Sequence, residues 1–251
     1  MMNQINLLRG LNSASKYPSI PTYHTLGQRG RLTEEATVFD GPVLMTEKMD
    51  GTNGRIVKDS TGDWLIGARE NFLTAKGDRI YTPTEHIVEV LGDIADKLIN
   101  PTNGYLAYYI EVYGGNIGAA GKQYTSNKDV FSYRMFDVAH VPADVVTWPV
   151  ENIALWREGG GQEFLPEEEL HMHSEISGVP LVPRIAITPG HQLPVGLAET
   201  QLWLTQHSPK TMAPVDSTGK GGSEGIVLRT LDRKTIAKAR HADYTRTLDG
   251  K

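Results

Sequence analysis

Short apolar runs broken by glycine- and proline-bearing turns recur along the chain, and most of them read as strands. Gly41-Pro42 precedes the run Val43, Leu44 and Met45, which has the length of a short buried strand, and Asp50-Gly51 marks the turn after it. From Arg55 the pattern alternates, Arg55 and Val57 against Ile56 and Lys58. Asp59 to Asp63 then supplies a hairpin loop, and Trp64 to Arg69 returns antiparallel. Tyr105 to Tyr113 places Leu106, Tyr108, Ile110 and Val112 on one face and Tyr109, Glu111 and Tyr113 on the other. Phe131 to Val138 reads as a further strand, Val179 to Ile187 as a buried one, and Ile226 to Leu228 as an apolar strand followed by another over Lys234 to Arg240.

Helical spacing is rarer. Thr82-Pro83-Thr84-Glu85 offers a capping box with proline at the first helical position, and Ile87, Leu91, Ile94 and Leu98 follow as a core stripe that Asn100-Pro101 ends. Pro166 with Glu167, Glu168 and Glu169 opens a second helix that Gly178 closes, acids being favourable in a first turn. Ala198 to His207 forms a third, bearing Leu202 and Trp203. Lys16 to Tyr23 holds Pro18 and Pro21 and is expected to run extended over the surface, with Arg29 and Arg31 on a solvated loop. Strand-rich motifs with a few helices indicate an α+β fold.

At 251 residues the chain can bury a substantial core, and one large domain is expected. With no cysteine, disulfides and thiolate metal sites are excluded, and a reducing compartment is compatible. No apolar run approaches the roughly 20 residues that span a bilayer and no signal-peptide pattern opens the chain, so a soluble, cytoplasmic protein without membrane contact is expected. The net charge of −5 argues against indiscriminate nucleic-acid binding. The charge is uneven, however: residues 229 to 251 are rich in Arg and Lys, whereas residues 151 to 175 are acidic.

Candidate chemistry centres on Glu47-Lys48-Met49-Asp50-Gly51-Thr52-Asn53-Gly54-Arg55. Lys48 sits at the mouth of a strand, where a lysine serves as a nucleophile once its amine is neutral. Glu111, an acid flanked by aromatics on a strand, needs a partner to offset desolvation. Lys238 and Arg240 share a strand face two residues apart, where both can meet one anionic group. Two other features carry no such expectation. His171 and His173 diverge by about 200° on a helix and do not reach one ion. The loop Asp216 to Gly222 fails as a P-loop, because Pro214 stands where the first glycine belongs and Gly221 follows Lys220.

The Lys48 segment resembles motif I of the covalent nucleotidyltransferases, the superfamily of ATP- and NAD-dependent polynucleotide ligases and mRNA capping enzymes, and its spelling is most similar to the RNA ligase 2 branch. Further segments resemble that superfamily's motifs in the same order: the arginine Arg69, Glu111 before Gly114-Gly115 for motif III, Arg134 to Val138 for motif IIIa, Ser223 to Arg229 for motif IV, and Lys238 with Arg240 for motif V. The resemblance implies that Lys48 attacks the α-phosphate of ATP and carries AMP as a phosphoramide, with Lys238 and Arg240 as its catalytic phosphate contacts. It implies nucleotide contacts from Glu47, Asn53, Arg55, Arg69, Glu111, Phe136, Val227 and Lys238. Phe136 would stack on adenine, Val227 would pack against it, and Asn53 and Arg55 would organise the phosphates and the acceptor end. Glu224 would be tied to the divalent metal, Mg²⁺ or Mn²⁺, and Glu111 would touch the ribose or help organise that metal.

One departure stands out: the family usually has two lysines where this chain has Lys238 and then Arg240. The implied fold is the nucleotidyltransferase (ATP-grasp-like) fold, with two antiparallel sheets and flanking helices around a nucleotide cleft. It would occupy residues 1–251 as a single adenylyltransferase domain, without the OB-fold or helical C-terminal domain of longer relatives. The implied activity is ATP-dependent sealing of RNA 3′-hydroxyl and 5′-phosphate ends, with RNA ends or a nicked duplex as partner. Alternatives are a minimal ATP-dependent DNA ligase and a nucleotide- or RNA-binding module of the same fold with impaired catalysis.

Overall fold

The computed structural model describes residues 4–76, 78–81 and 86–250. Its first elements are α1 (Gln4–Ala14), β1 (His24–Leu26), β2 (Leu32–Ala36), β3 (Pro42–Lys48), β4 (Thr52–Asp59), β5 (Trp64–Ala68), β6 (Phe72–Ala75), β7 (Asp78–Arg79), α2 (Ile87–Ala95) and β8 (Tyr105–Gly114). There follow α3 (Gly121–Tyr124), β9 (Phe131–Val141), α4 (Val150–Glu158), β10 (Glu163–Phe164), α5 (Glu167–Ser177), β11 (Arg184–Pro189), α6 (Leu197–His207), β12 (Gly225–Thr230), β13 (Ile236–Arg240) and α7 (His241–Leu248). The expected capping box at Thr82 to Glu85 lies outside the described residues. The chain divides into two compact units, one of Met1–Pro18, Thr52–Val112 and Phe131–Leu181, the other of Ser19–Gly51, Tyr113–Val130 and Val182–Lys251.

The first unit is built on a seven-stranded sheet of order β10-β9-β8-β4-β5-β6-β7. β4 runs antiparallel to both β5 and β8, and its alternation follows from its two faces, Val57 meeting α1 and α4 and the opposite face meeting α2. Val57, Ala107 and Tyr109 pack against Leu11 and Ala14 of α1 and Ile153 of α4, while α2 covers β4 and β5. Lys58 is only 2% exposed; its Nζ donates to the carbonyls of Ala95 and Leu98 at 3.0 Å each, just where α2 leaves its last acceptors open. α5 matches its sequence signals, with three glutamates in its first turn and Gly178 ending it at φ 68°. His171 pairs with Glu167 at its surface, whereas His173 is buried against the Tyr108 hydroxyl at 2.9 Å.

The second unit holds a two-stranded ribbon, β1 with β2, and an antiparallel four-stranded sheet of order β11-β3-β12-β13. Period-two alternation divides that sheet by chemistry. Val43, Met45, Ile226, Leu228, Ala237 and Ala239 face a core that includes Leu197 and Leu204 of α6 and Tyr244 of α7. Thr46, Lys48, Val227, Lys238 and Arg240 take the opposite face.

Three sequence expectations change. The run Val179 to Ile187 is a strand only from Arg184 onward, and β11 is half exposed. Pro180 and Pro183 lack the N–H a ladder needs, so Val179 and Val182 are buried as irregular chain. The segment from Lys16 to Tyr23 is extended, but it is not merely superficial. The amide of Lys238 donates to the Pro21 carbonyl and the amide of Tyr23 to the Lys238 carbonyl, both at 2.8 Å, so residues 21–23 cover the outer edge of β13. Finally, α2 ends at Ala95, and Leu98 is buried just beyond it.

Candidate active site

Lys48 is the last residue of β3. Its register partner on β12 is Gly225, whose own partner on β13 is Arg240, so Lys48 and Arg240 flank Gly225 across three strands. Thr46, Val227 and Lys238 form the next row. Strand spacing puts the two backbones of the outer pair roughly 10 Å apart, a gap that a lysine and an arginine side chain can close from both sides. Between them lies Glu224. Its Oε2 accepts from Lys48 Nζ, and its Oε1 is 3.8 Å from Arg240 Nη1. The Lys48 and Glu224 side chains are only 23% and 18% exposed, so this ion pair is screened far less than a surface one.

Gly225 makes this convergence possible. Its φ of 154° lies where side chains with a Cβ are strained, and a Cβ there would lie 2.1 Å from the Ala239 carbonyl oxygen. β12 and β13 thus close at the point where Glu224 enters the sheet.

Lys238 has a pKa lowered first by burial and then by the positive charges of Arg240 and Lys48. Arg240 is raised, chiefly by its hydrogen bonds to Asp243: Nε donates to Oδ2 at 2.7 Å and Nη2 to Oδ1 at 2.9 Å. Asp243, in the first turn of α7, is 1% exposed and also accepts from Arg246 Nη2 at 2.7 Å. Glu47 is 2% exposed and points to the other side of β3 from Lys48; its Oε2 accepts from the Met212 amide at 2.7 Å. On the turn after Lys48, the Asp50 amide donates to the Tyr124 hydroxyl at 2.7 Å.

The remaining expected residues lie on the first unit. Asn53 and Glu111 are register partners on β4 and β8, and the Asn53 side-chain oxygen is buried without a hydrogen-bond partner. Arg55 is fully buried: it stacks over Phe72 at 4.7 Å and donates from Nη2 to Asn12 Oδ1 at 2.5 Å. Burial pushes its pKa down to about 10. Asn12 in turn accepts from the Phe72 amide at 3.1 Å and donates to the Glu70 carbonyl at 3.0 Å, which pins the turn carrying Arg69. Arg69 itself is 62% exposed beside Glu70. Phe136 is half-buried, stacked on Tyr109 at 6.2 Å and met edge-on by Tyr17 at 5.0 Å.

Sequence reasoning did not find Asp243, Tyr124 or Asn12. Asp243 lies three positions after Arg240, a spacing that pairs two side chains only once the helix α7 is known.

Both units are the constituents of a nucleotidyltransferase fold, and solved structures bear this out. A Naegleria gruberi RNA ligase variant solved with ATP and manganese superposes with a TM-score of 0.55 at 13% identity, covering 92% of this chain and 62% of that one. An archaeal ATP-dependent RNA ligase gives 0.52 at 16% identity, covering 91% of this chain and 49% of that one. This chain therefore spans about half to two-thirds of the length of those enzymes. No curated protein matches the sequence. The RNA ligase family matches residues 41–240, and the chain belongs to that family.

Proposed function

We propose that the chain is an ATP-dependent RNA ligase module that works through a covalent lysyl-AMP intermediate. The observation that carries this reading is the convergence of Lys48, Glu224, Lys238 and Arg240 on one face of a four-stranded sheet in a chain of the RNA ligase family.

Lys48 first gives up the ammonium proton it shares with Glu224. Its neutral amine then attacks the α-phosphate of ATP, and the P–N bond forms as pyrophosphate leaves in line and the nitrogen sheds its second proton to solvent. Glu224 holds the Lys48 side chain toward the reacting centre before ATP arrives. Lys238 and Arg240 balance charge on the phosphates in the transition state. The adenylate then passes from Lys48 to an RNA 5′-phosphate, and a neighbouring 3′-hydroxyl displaces AMP to form the phosphodiester.

Among the described residues no group of three or more acidic, histidine or cysteine side chains is arranged to hold a metal. A site with one carboxylate suits Mg²⁺ or Mn²⁺, which complete their shells with water and phosphate oxygens. Glu224 would hold such an ion, which when bound supplies positive charge to the triphosphate. Glu111 takes the ribose or metal-organising role that the family resemblance implies, and Phe136 the stacking one. Arg69, exposed on a pinned turn, suits a phosphate contact, whereas buried Arg55 supports that turn through Asn12. No described helix is long and apolar enough to cross a membrane.

The test is the intact mass of the protein after incubation with ATP and Mg²⁺ or Mn²⁺. A gain of one adenylate is expected, absent with GTP and absent from Lys48→Ala. No gain across pH and metal would overturn the reading in favour of a binding module.

A further inference from the structure

Arg240 stands where the resemblance leads one to expect a second lysine. A lysine is a flexible point charge that finds a phosphate by itself, whereas a guanidinium is planar and useful only in the right orientation. The orientation here is set by Asp243. Nε and Nη2 of Arg240 lie along one edge of the guanidinium plane, and both donate to the two oxygens of this one carboxylate. Fixing that edge fixes the direction of Nη1, which is the nitrogen turned to Glu224 at 3.8 Å.

The carboxylate is itself held from behind. Asp243 is buried, its Oδ1 also accepts from Arg246, and Arg246 donates to the Gly30 carbonyl at 2.8 and 3.1 Å. The fork is also local by construction. Arg240 is both the end of β13 and the N-cap of α7, and Asp243 sits one turn on, where a negative charge is favoured by the helix dipole. A strand that runs straight into a helix thus delivers an acid beneath its own last arginine.

We propose that Asp243 is a positioning residue for nucleotidyl transfer: it locks Arg240 edge-on so that Nη1 faces the phosphate bonded to Lys48, allowing arginine to serve in place of lysine. This rests on the lysyl-AMP reading above.

The experiment is a double-mutant cycle of Arg240→Ala and Asp243→Asn, read as the single-turnover rate of adduct formation at saturating ATP, with thermal melts of each variant. Asp243→Asn is expected to slow the step roughly tenfold or more in the parent chain, and less than about twofold in the Arg240→Ala background. Equal fold losses in both backgrounds would show that Asp243 only supports the fold, and would overturn the proposal. So would an unchanged rate in Asp243→Asn. If Asp243→Asn loses its cooperative melt, Arg246→Gln loosens the same carboxylate from its other side and takes its place in the cycle: a loss confined to the parent background supports the proposal, and equal losses in both overturn it. If the parent chain forms no adduct, the lysyl-AMP reading itself fails; if it does and the cycle shows no coupling, the Asp243 proposal fails alone.

Discussion

Replacing Gly225 by alanine probes the geometry that brings Glu224 to Lys48. Two terms oppose the new methyl group. The residue would hold φ at 154°, which costs a side-chain-bearing residue about 1–3 kcal/mol. Its Cβ would also lie 2.1 Å from the Ala239 carbonyl oxygen and 2.8 Å from Arg240 Cα. Both are backbone atoms, so no rotamer change relieves the contact, and β13 must move away from β12. That movement weakens the ladder at Gly225↔Arg240 and Ile226↔Ala239, at about 1 kcal/mol per hydrogen bond. The total is about 3–5 kcal/mol, a large part of the roughly 5–15 kcal/mol available to a domain. Urea unfolding of Gly225→Ala should show a midpoint shift of that size, and the folded fraction should form the adenylate adduct more slowly, because Arg240 and Glu224 are carried on the displaced strands. A stability loss below about 1 kcal/mol with an unchanged adduct rate would refute the argument that this glycine sets the site.

Two further outcomes follow from groups around the site and core. Tyr124→Phe removes the acceptor for the Asp50 amide; it should cost about 1 kcal/mol in urea unfolding and slow adduct formation several-fold by loosening the turn after Lys48. His173 has a pKa lowered by burial, so its contribution is present above the unfolded-state value of about 6.5 and is lost as pH falls through the folded one. Unfolding free energy should therefore drop as pH falls below about 6.5, and His173→Gln should flatten that slope; an identical slope in the variant would remove His173 as its cause.

The strands that carry the motifs were readable because each shows a pattern that its surroundings demand. β4 alternates because its faces meet different layers, and the apolar run Val43 to Met45 between Gly41-Pro42 and Asp50-Gly51 placed Lys48 at a strand end from sequence. α5 was readable from Pro166 and Gly178 at its ends. What failed depended on partners distant in sequence. Arg55 shares a face with Val57, but nothing in the sequence says that Asn12 and Phe72 enclose it. α7 follows β13 without a break, so no glycine or proline announces it, and the Asp243 fork stayed hidden. In Val179 to Ile187 apolar content outweighed the two prolines, although it is the prolines that decide where the ladder begins.

The pairing of residues 21–23 with β13 bears on where the chain can be cut. A fragment trimmed to the family-matched residues 41–240 would strip this extended segment from β13. The exposed amide and carbonyl of Lys238 would then offer an unprotected edge to other molecules, a template for association between copies. The same trimming removes α7, and with it the carboxylate that holds Arg240. The matched region contains every segment that resembles a family motif, yet residues on both sides of it hold Lys238 and Arg240 in place.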